Sequence, residues 1–163
     1  MSAEREIRIF INSVRYEVEA SLFSDMDADE LVEMVTDGAV EPERMQIKTV
    51  GSFCVDGDRC RISYRESEVT GMEGSVTEIS FDMRNSGIVT MTRSGAVSTA
   101  LIFENGKRHH CVYETPYMPF EVCVRTLSVK NDIGASGLME LDYIVEIRGA
   151  KAERTKFSMR IAD

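Results

Sequence analysis

Period-two alternation of apolar and charged residues is the feature that most constrains this chain. Met139, Leu141, Tyr143, Val145 and Ile147 are interleaved with Glu140, Asp142, Glu146 and Arg148. Successive side chains of a strand point to opposite faces, so this run predicts a strand with one buried and one wet face. Phe157, Met159 and Ile161 repeat the pattern against Lys156, Ser158 and Arg160. Ile79, Phe81 and Met83 do so against Glu78, Ser80 and Asp82, and Cys60, Ile62 and Tyr64 against Arg59, Arg61, Ser63 and Arg65. Antiparallel sheets with one solvated face read this way, whereas parallel strands read as continuous apolar runs.

The first strand carries a parity break. Ile7, Ile9 and Ile11 share one face, but the next apolar set is Val14, Tyr16, Val18, Ala20 and Leu22. A β-bulge near Asn12-Ser13 would keep both sets inward; a tight turn there is the alternative. Asp56-Gly57-Asp58, Asn85-Ser86-Gly87, Ser94-Gly95 and Asn105-Gly106 each separate two strand-like runs. Asn-Gly suits the type I′ turn of a two-residue hairpin. Strands at this spacing, about nine or ten of them, indicate a sandwich or barrel. One segment departs from the pattern: SDMDADELVEMVTDG over 24–38 reads as a short acidic helix inserted after the first strand. Ser24 or Asp25 caps it, Gly38 ends it, and Leu31, Val32, Met34 and Val35 form its apolar stripe.

A length of 163 residues, 43% apolar and 29% charged, suits one domain with a real core, spanning 1–163. No apolar run approaches the roughly 20 residues that cross a bilayer, and the charged start Met1-Ser2-Ala3-Glu4-Arg5-Glu6 has no signal-peptide character. A soluble, cytoplasmic protein with no membrane partner is therefore expected. A net charge of −9, with Lys and Arg scattered singly, argues against a nucleic-acid partner. Cys54, Cys60, Cys111 and Cys123 lack CxxC spacing and sit in apolar runs, as buried free thiols in a reducing compartment do.

From Gly51 onward the chain resembles the YwiB-like family of bacterial β-barrels, a family of unknown function. The resemblance is carried by Ile62-Ser63-Tyr64-Arg65-Glu66-Ser67 followed by Gly71, Gly74 and Thr77, and by Met91-Thr92-Arg93-Ser94-Gly95. Phe103-Glu104-Asn105-Gly106, Tyr113-Glu114-Thr115-Pro116-Tyr117, and then Thr126, Gly137 and Tyr143 continue it in order. Met118 stands where the family pattern has glycine, and the acidic segment has the look of an insertion. The resemblance implies an all-β, antiparallel, up-and-down barrel of calycin-like (lipocalin-like) type. It assigns no catalytic residue.

Few residues suggest chemistry. Asp25, Asp27 and Asp29 open like an EF-hand loop, but Glu30 and Thr36 occupy the positions that need Gly and Glu. His109 and Cys111 share one face and Cys60 adds a third group at most, short of the four ligands of a structural zinc site. The clean inward faces contain no Asp or Glu, and no Gly-x-Ser-x-Gly elbow is present. Gly71-Met72-Glu73-Gly74 and Gly134-Ala135-Ser136-Gly137 read as turns, not phosphate cradles. No catalytic residue, metal or cofactor is assigned.

The polar candidates for a ligand site are Arg93, Tyr113, Arg125, Tyr143 and Tyr64. If Val89 and Met91 face inward, so does Arg93, which at a barrel mouth either anchors a ligand carboxylate or phosphate or pairs with a nearby Glu. Arg125 depends on a strand whose parity is ambiguous between Phe120-Val122-Val124 and Cys123-Leu127-Val129. Tyr64, Tyr113 and Tyr143 serve equally as core or lining. Three functions remain. The first is a non-enzymatic module holding a small, mainly apolar or amphipathic ligand. The second is a side-chain-filled barrel working through its surface, with a homodimer as one form, for which Val76, Leu138 and Ile144 hint at a patch. An enzyme is the least favoured. Pattern alone leaves open whether the barrel is hollow or packed.

Overall fold

A computed structural model describes residues 2–18, 42–67, 73–95, 97–147 and 152–163. They form ten strands: β1 (Ser2–Val18), β2 (Glu43–Asp56), β3 (Arg59–Arg65), β4 (Val76–Asp82), β5 (Asn85–Ser94), β6 (Thr99–Glu104), β7 (Arg108–Tyr113), β8 (Phe120–Asp132), β9 (Leu138–Ile147) and β10 (Ala152–Ala162). The helix expected over 24–38 lies outside the described residues, among which there is no helix.

The sheet order is β6-β5-β4-β3-β2-β1-β10-β9-β8-β7, with every pairing antiparallel. The two edge strands, β6 and β7, meet at a seam, so the sheet is a nearly closed barrel. Ser98 and Glu114 exchange backbone hydrogen bonds of 2.9 Å at one end of that seam. At the other, the link after β6 hooks onto β8: the Gly106 N–H donates to Thr126 O and the Thr126 N–H to Lys107 O, both at 3.1 Å. Asn105-Gly106 therefore does not close a paired two-residue hairpin. Only Gly106, at φ 74°, has the positive φ that a type I′ turn requires at both central residues. The Asn85-Ser86-Gly87 signal is also displaced, because the turn is Met83-Arg84 and Asn85 already pairs with Asp82.

The register removes one expectation and resolves another. β1 pairs with β10 without interruption from Arg8 to Val18, so there is no bulge at Asn12-Ser13. Ser13 and Arg15 consequently follow Ile7, Ile9 and Ile11 on the inner face, and Val14 and Tyr16 face out. The bulge is on β8, where the register with β9 shifts between Thr126 and Ser128. It brings Val122, Val124 and Thr126 inward before Leu127, and Val129 opposite inward-facing Leu141 after it.

Inside the lower half, bounded by the short links at Gly57-Asp58 and Met83-Arg84, the barrel is filled. Ile9, Ile62, Ile79, Phe103, Met139 and Met159 are fully buried there, each contributing about 1.5–3 kcal/mol relative to exposure. Outward parity does not always mean exposure. Ile144 is 0% accessible although it faces out; Arg125 and Arg154 stand directly opposite it on β8 and β10, and their long stems flank it. Arg154, itself 1% accessible, grips Asp142 with Nε to Oδ1 at 2.9 Å and Nη2 to Oδ2 at 2.7 Å. Val76 is exposed and Leu138 half-buried, so the three outward apolar residues make no common exposed patch.

Candidate functional site

Towards the other end the inner face changes composition. Ser13, Thr77 and Thr155 stand where the lower level has Ile, Phe and Met, and these small side chains do not fill the interior. A cavity of about 280 Å³ results, just under the roughly 300–1,000 Å³ of typical small-molecule pockets. Its apolar wall includes Ile11, Ile47, Met91, Leu101, Val145 and Phe157.

The polar wall is built around Glu66. Alternation through Cys60, Ile62 and Tyr64 continues past the end of β3 and turns Glu66 inward, where its side chain keeps only 2% of its accessibility. Its backbone N–H donates to Ser75 O at 2.8 Å, fixing the position. Thr77 Oγ1 donates to Glu66 Oε1 at 2.6 Å. Arg93, directly opposite Thr77 in the ladder, donates from Nη2 to the same Glu66 oxygen at 3.3 Å and from Nε to Thr77 Oγ1 at 3.2 Å. The Tyr64 hydroxyl joins Glu66 and Thr77 by hydrogen bonds, and burial followed by the Glu66 charge holds this phenol far above the ordinary tyrosine range. Arg93, with 20% side-chain accessibility, is the more open member of the pair.

Across the cavity, Tyr143 packs against Phe103 with ring centroids 4.5 Å apart at 50° and hydrogen-bonds Thr155. Burial raises the pKa of both Tyr143 and Tyr113, so the lining phenols stay protonated at neutral pH. Arg15 and Glu153 add a looser, half-exposed pair at 3.6 Å.

Four of the five residues singled out from sequence, Arg93, Tyr113, Tyr143 and Tyr64, therefore line one cavity. Arg125 does not: it precedes the β8 bulge and lies on the outer face, opposite Arg108 and Ile144. Glu66 and Glu153 line the cavity, which corrects the expectation of inner faces without acids. Their signal was present, because extending the Tyr64 and Phe157 parities by one and two steps reaches them. Among the described residues no group of His, Cys, Asp and Glu has the arrangement to hold a metal ion; His109 instead lies 3.2 Å from Glu104. No helix among them is long and apolar enough to cross a membrane.

Fold and site together define an up-and-down antiparallel barrel that, among the described residues, is packed in one half and leaves a cavity in the other. The chain belongs to the family described as a domain of unknown function (DUF1934), whose model matches residues 29–159. The match begins inside the acidic segment, well before Gly51. The crystal structure of the ywiB protein from Bacillus subtilis shares the fold with a TM-score of 0.66, covering 98% of this chain and 94% of that one at 16% identity. At that identity the likeness speaks for fold alone. No curated protein matches the chain.

Proposed function

We propose that this protein is a non-enzymatic module that holds a small, mainly apolar ligand in the hollow half of a calycin-like barrel. The observation that carries this reading is the cavity of about 280 Å³, with an apolar wall and a polar network converging on Glu66, Thr77 and Arg93. Small barrels either fill with side chains or hold one small ligand, and here the inner face is bulky at one level and small at the next. An apolar wall supplies affinity through burial, while a few placed polar groups orient the ligand.

Methionine methyl groups offer an internal test. Met45 and Met91 line the cavity, whereas Met139 and Met159 sit in the packed half. In methyl NMR of the full chain titrated with small amphiphiles, the first pair is expected to shift and the second to stay. Native mass spectrometry of protein purified from its host should show a bound mass. An empty spectrum, together with no shift at Met45 or Met91 across the panel, would end the proposal.

A surface role is the second reading, favoured by Val112, Tyr117 and Met118, which are exposed on and just after β7. In its homodimer form it expects self-association in sedimentation equilibrium. A monomer at every concentration would remove that form.

A further inference from the structure

We infer that the ligand of this cavity carries no net charge and presents a hydrogen-bond acceptor, such as an amide, hydroxyl or carbonyl oxygen, at its polar end. This rests on reading the cavity as a binding site. Among the described residues the charged groups lining it are Arg15 and Arg93 against Glu66 and Glu153, two of each sign. Each arginine lies beside an acid, Arg93 at 3.3 Å from Glu66 and Arg15 at 3.6 Å from Glu153. The phenols add no charge, since burial keeps Tyr64 and Tyr143 protonated.

A ligand carboxylate approaching Arg93 would come close to the Glu66 oxygen that already occupies this guanidinium. Two carboxylates at such range disfavour one another's ionised forms, and the partly dry surroundings strengthen the effect. An ammonium meets the mirror problem, because Arg93 is the more open member of the pair and Glu66 the more enclosed. An uncharged acceptor meets neither. A guanidinium has five N–H donors, and the bonds Arg93 makes among the described residues draw on Nε and Nη2, so that among those residues it keeps donors to offer. The view of Arg93 as an anchor for a carboxylate or phosphate gives way to one in which Glu66 has cancelled its charge and left its hydrogen-bonding capacity.

Octanamide, octanoate and octylammonium share a chain and differ in head-group charge. Titrated into the full chain at neutral pH and followed at the Met45 and Met91 methyl groups, octanamide is expected to bind at least about tenfold tighter than either ion. In Glu66→Gln, octanoate should gain about tenfold on octanamide, and in Arg93→Gln octylammonium should make the corresponding gain. The Met139 and Met159 resonances report whether each variant is folded, and the wild-type comparison decides the matter without them. Octanoate or octylammonium binding the wild type as tightly as octanamide would overturn the charge inference and leave the cavity reading standing. No shift with any of the three would overturn both.

Discussion

Thr77→Val tests whether the buried network holds the upper barrel together. Valine keeps the shape of threonine and suits a strand at least as well, so the substitution removes one hydroxyl and little else. That hydroxyl donates to Glu66 Oε1 at 2.6 Å and accepts from Arg93 Nε at 3.2 Å. Its side chain is wholly enclosed, so water does not simply replace it. Glu66 keeps Arg93 Nη2 and Tyr64 as partners, and its charge is not stranded. The net loss is then the bonds to Glu66 and Arg93 together with that to the Tyr64 hydroxyl, about 2–3 kcal/mol in total after the remaining bonds relax. For a domain of this size, that lowers Tm by about 4–12 °C. Urea unfolding gives the free energy and a thermal melt checks it. Thr92→Val, one position from Arg93 on the opposite face, should stay within about 0.5 kcal/mol. A loss below about 0.5 kcal/mol for Thr77→Val would refute the reasoning, because it would mean that solvent already shares the network.

Other perturbations probe different parts of the barrel. Gly51→Ala would put a methyl group onto the Ser63 carbonyl oxygen and 2.6 Å from Ile9 Cδ1; urea unfolding should show a loss of about 1–3 kcal/mol, whereas Gly87→Ala, with nothing within 4 Å, should show none. Arg154→Ala strands Asp142 on a mostly covered face and should cost about 3 kcal/mol in the same assay. Stability should fall as pH rises past about 10. Burial raises the folded-state pKa of Tyr64, Tyr113 and Tyr143, so above the unfolded pKa the unfolded chain has released protons that the folded chain retains; urea midpoints across the alkaline range, alongside tyrosine absorbance, measure this. Finally, a thiol reagent should modify the half-buried Cys54 and Cys123 in the native protein while Cys60 and Cys111, which are buried, react only on unfolding, as mass mapping would show; burial raises the Cys123 thiol as well as those of Cys60 and Cys111, so the contrast is one of access.

Much of the barrel is written in alternation, because a strand's side chains have period two and one face must be dry. The inward faces of β3, β4, β9 and β10 follow from it, as does the inward parity of Tyr64, Arg93, Tyr113 and Tyr143, though not their meeting in one cavity. The misplaced bulge shows the limit. Apolar Val14 and Tyr16 argue for a correction to β1, yet β1 runs straight and sends Ser13 and Arg15 inside. The corresponding ambiguity in β8, with two apolar parities side by side, is the real bulge at Thr126–Ser128. One-dimensional pattern reports that parity changes in both strands; which of them bends depends on the strands alongside. Asn105-Gly106 carries the same lesson, since its backbone groups bond Thr126 of β8 and not a hairpin partner.

By itself, then, the amino-acid order determined an all-β antiparallel architecture and the inner faces of β3, β4, β9 and β10, since these depend on local period; the up-and-down barrel was what the family resemblance implied. Tertiary structure alone decided that the barrel, among the described residues, is packed at one level and leaves a cavity at the next, that Arg93 pairs with Glu66, and that Arg125 stands outside. Volume and charge pairing are properties of residues distant in sequence that meet at one height in the barrel. Register across ten strands, and not any single run of residues, sets which of them meet.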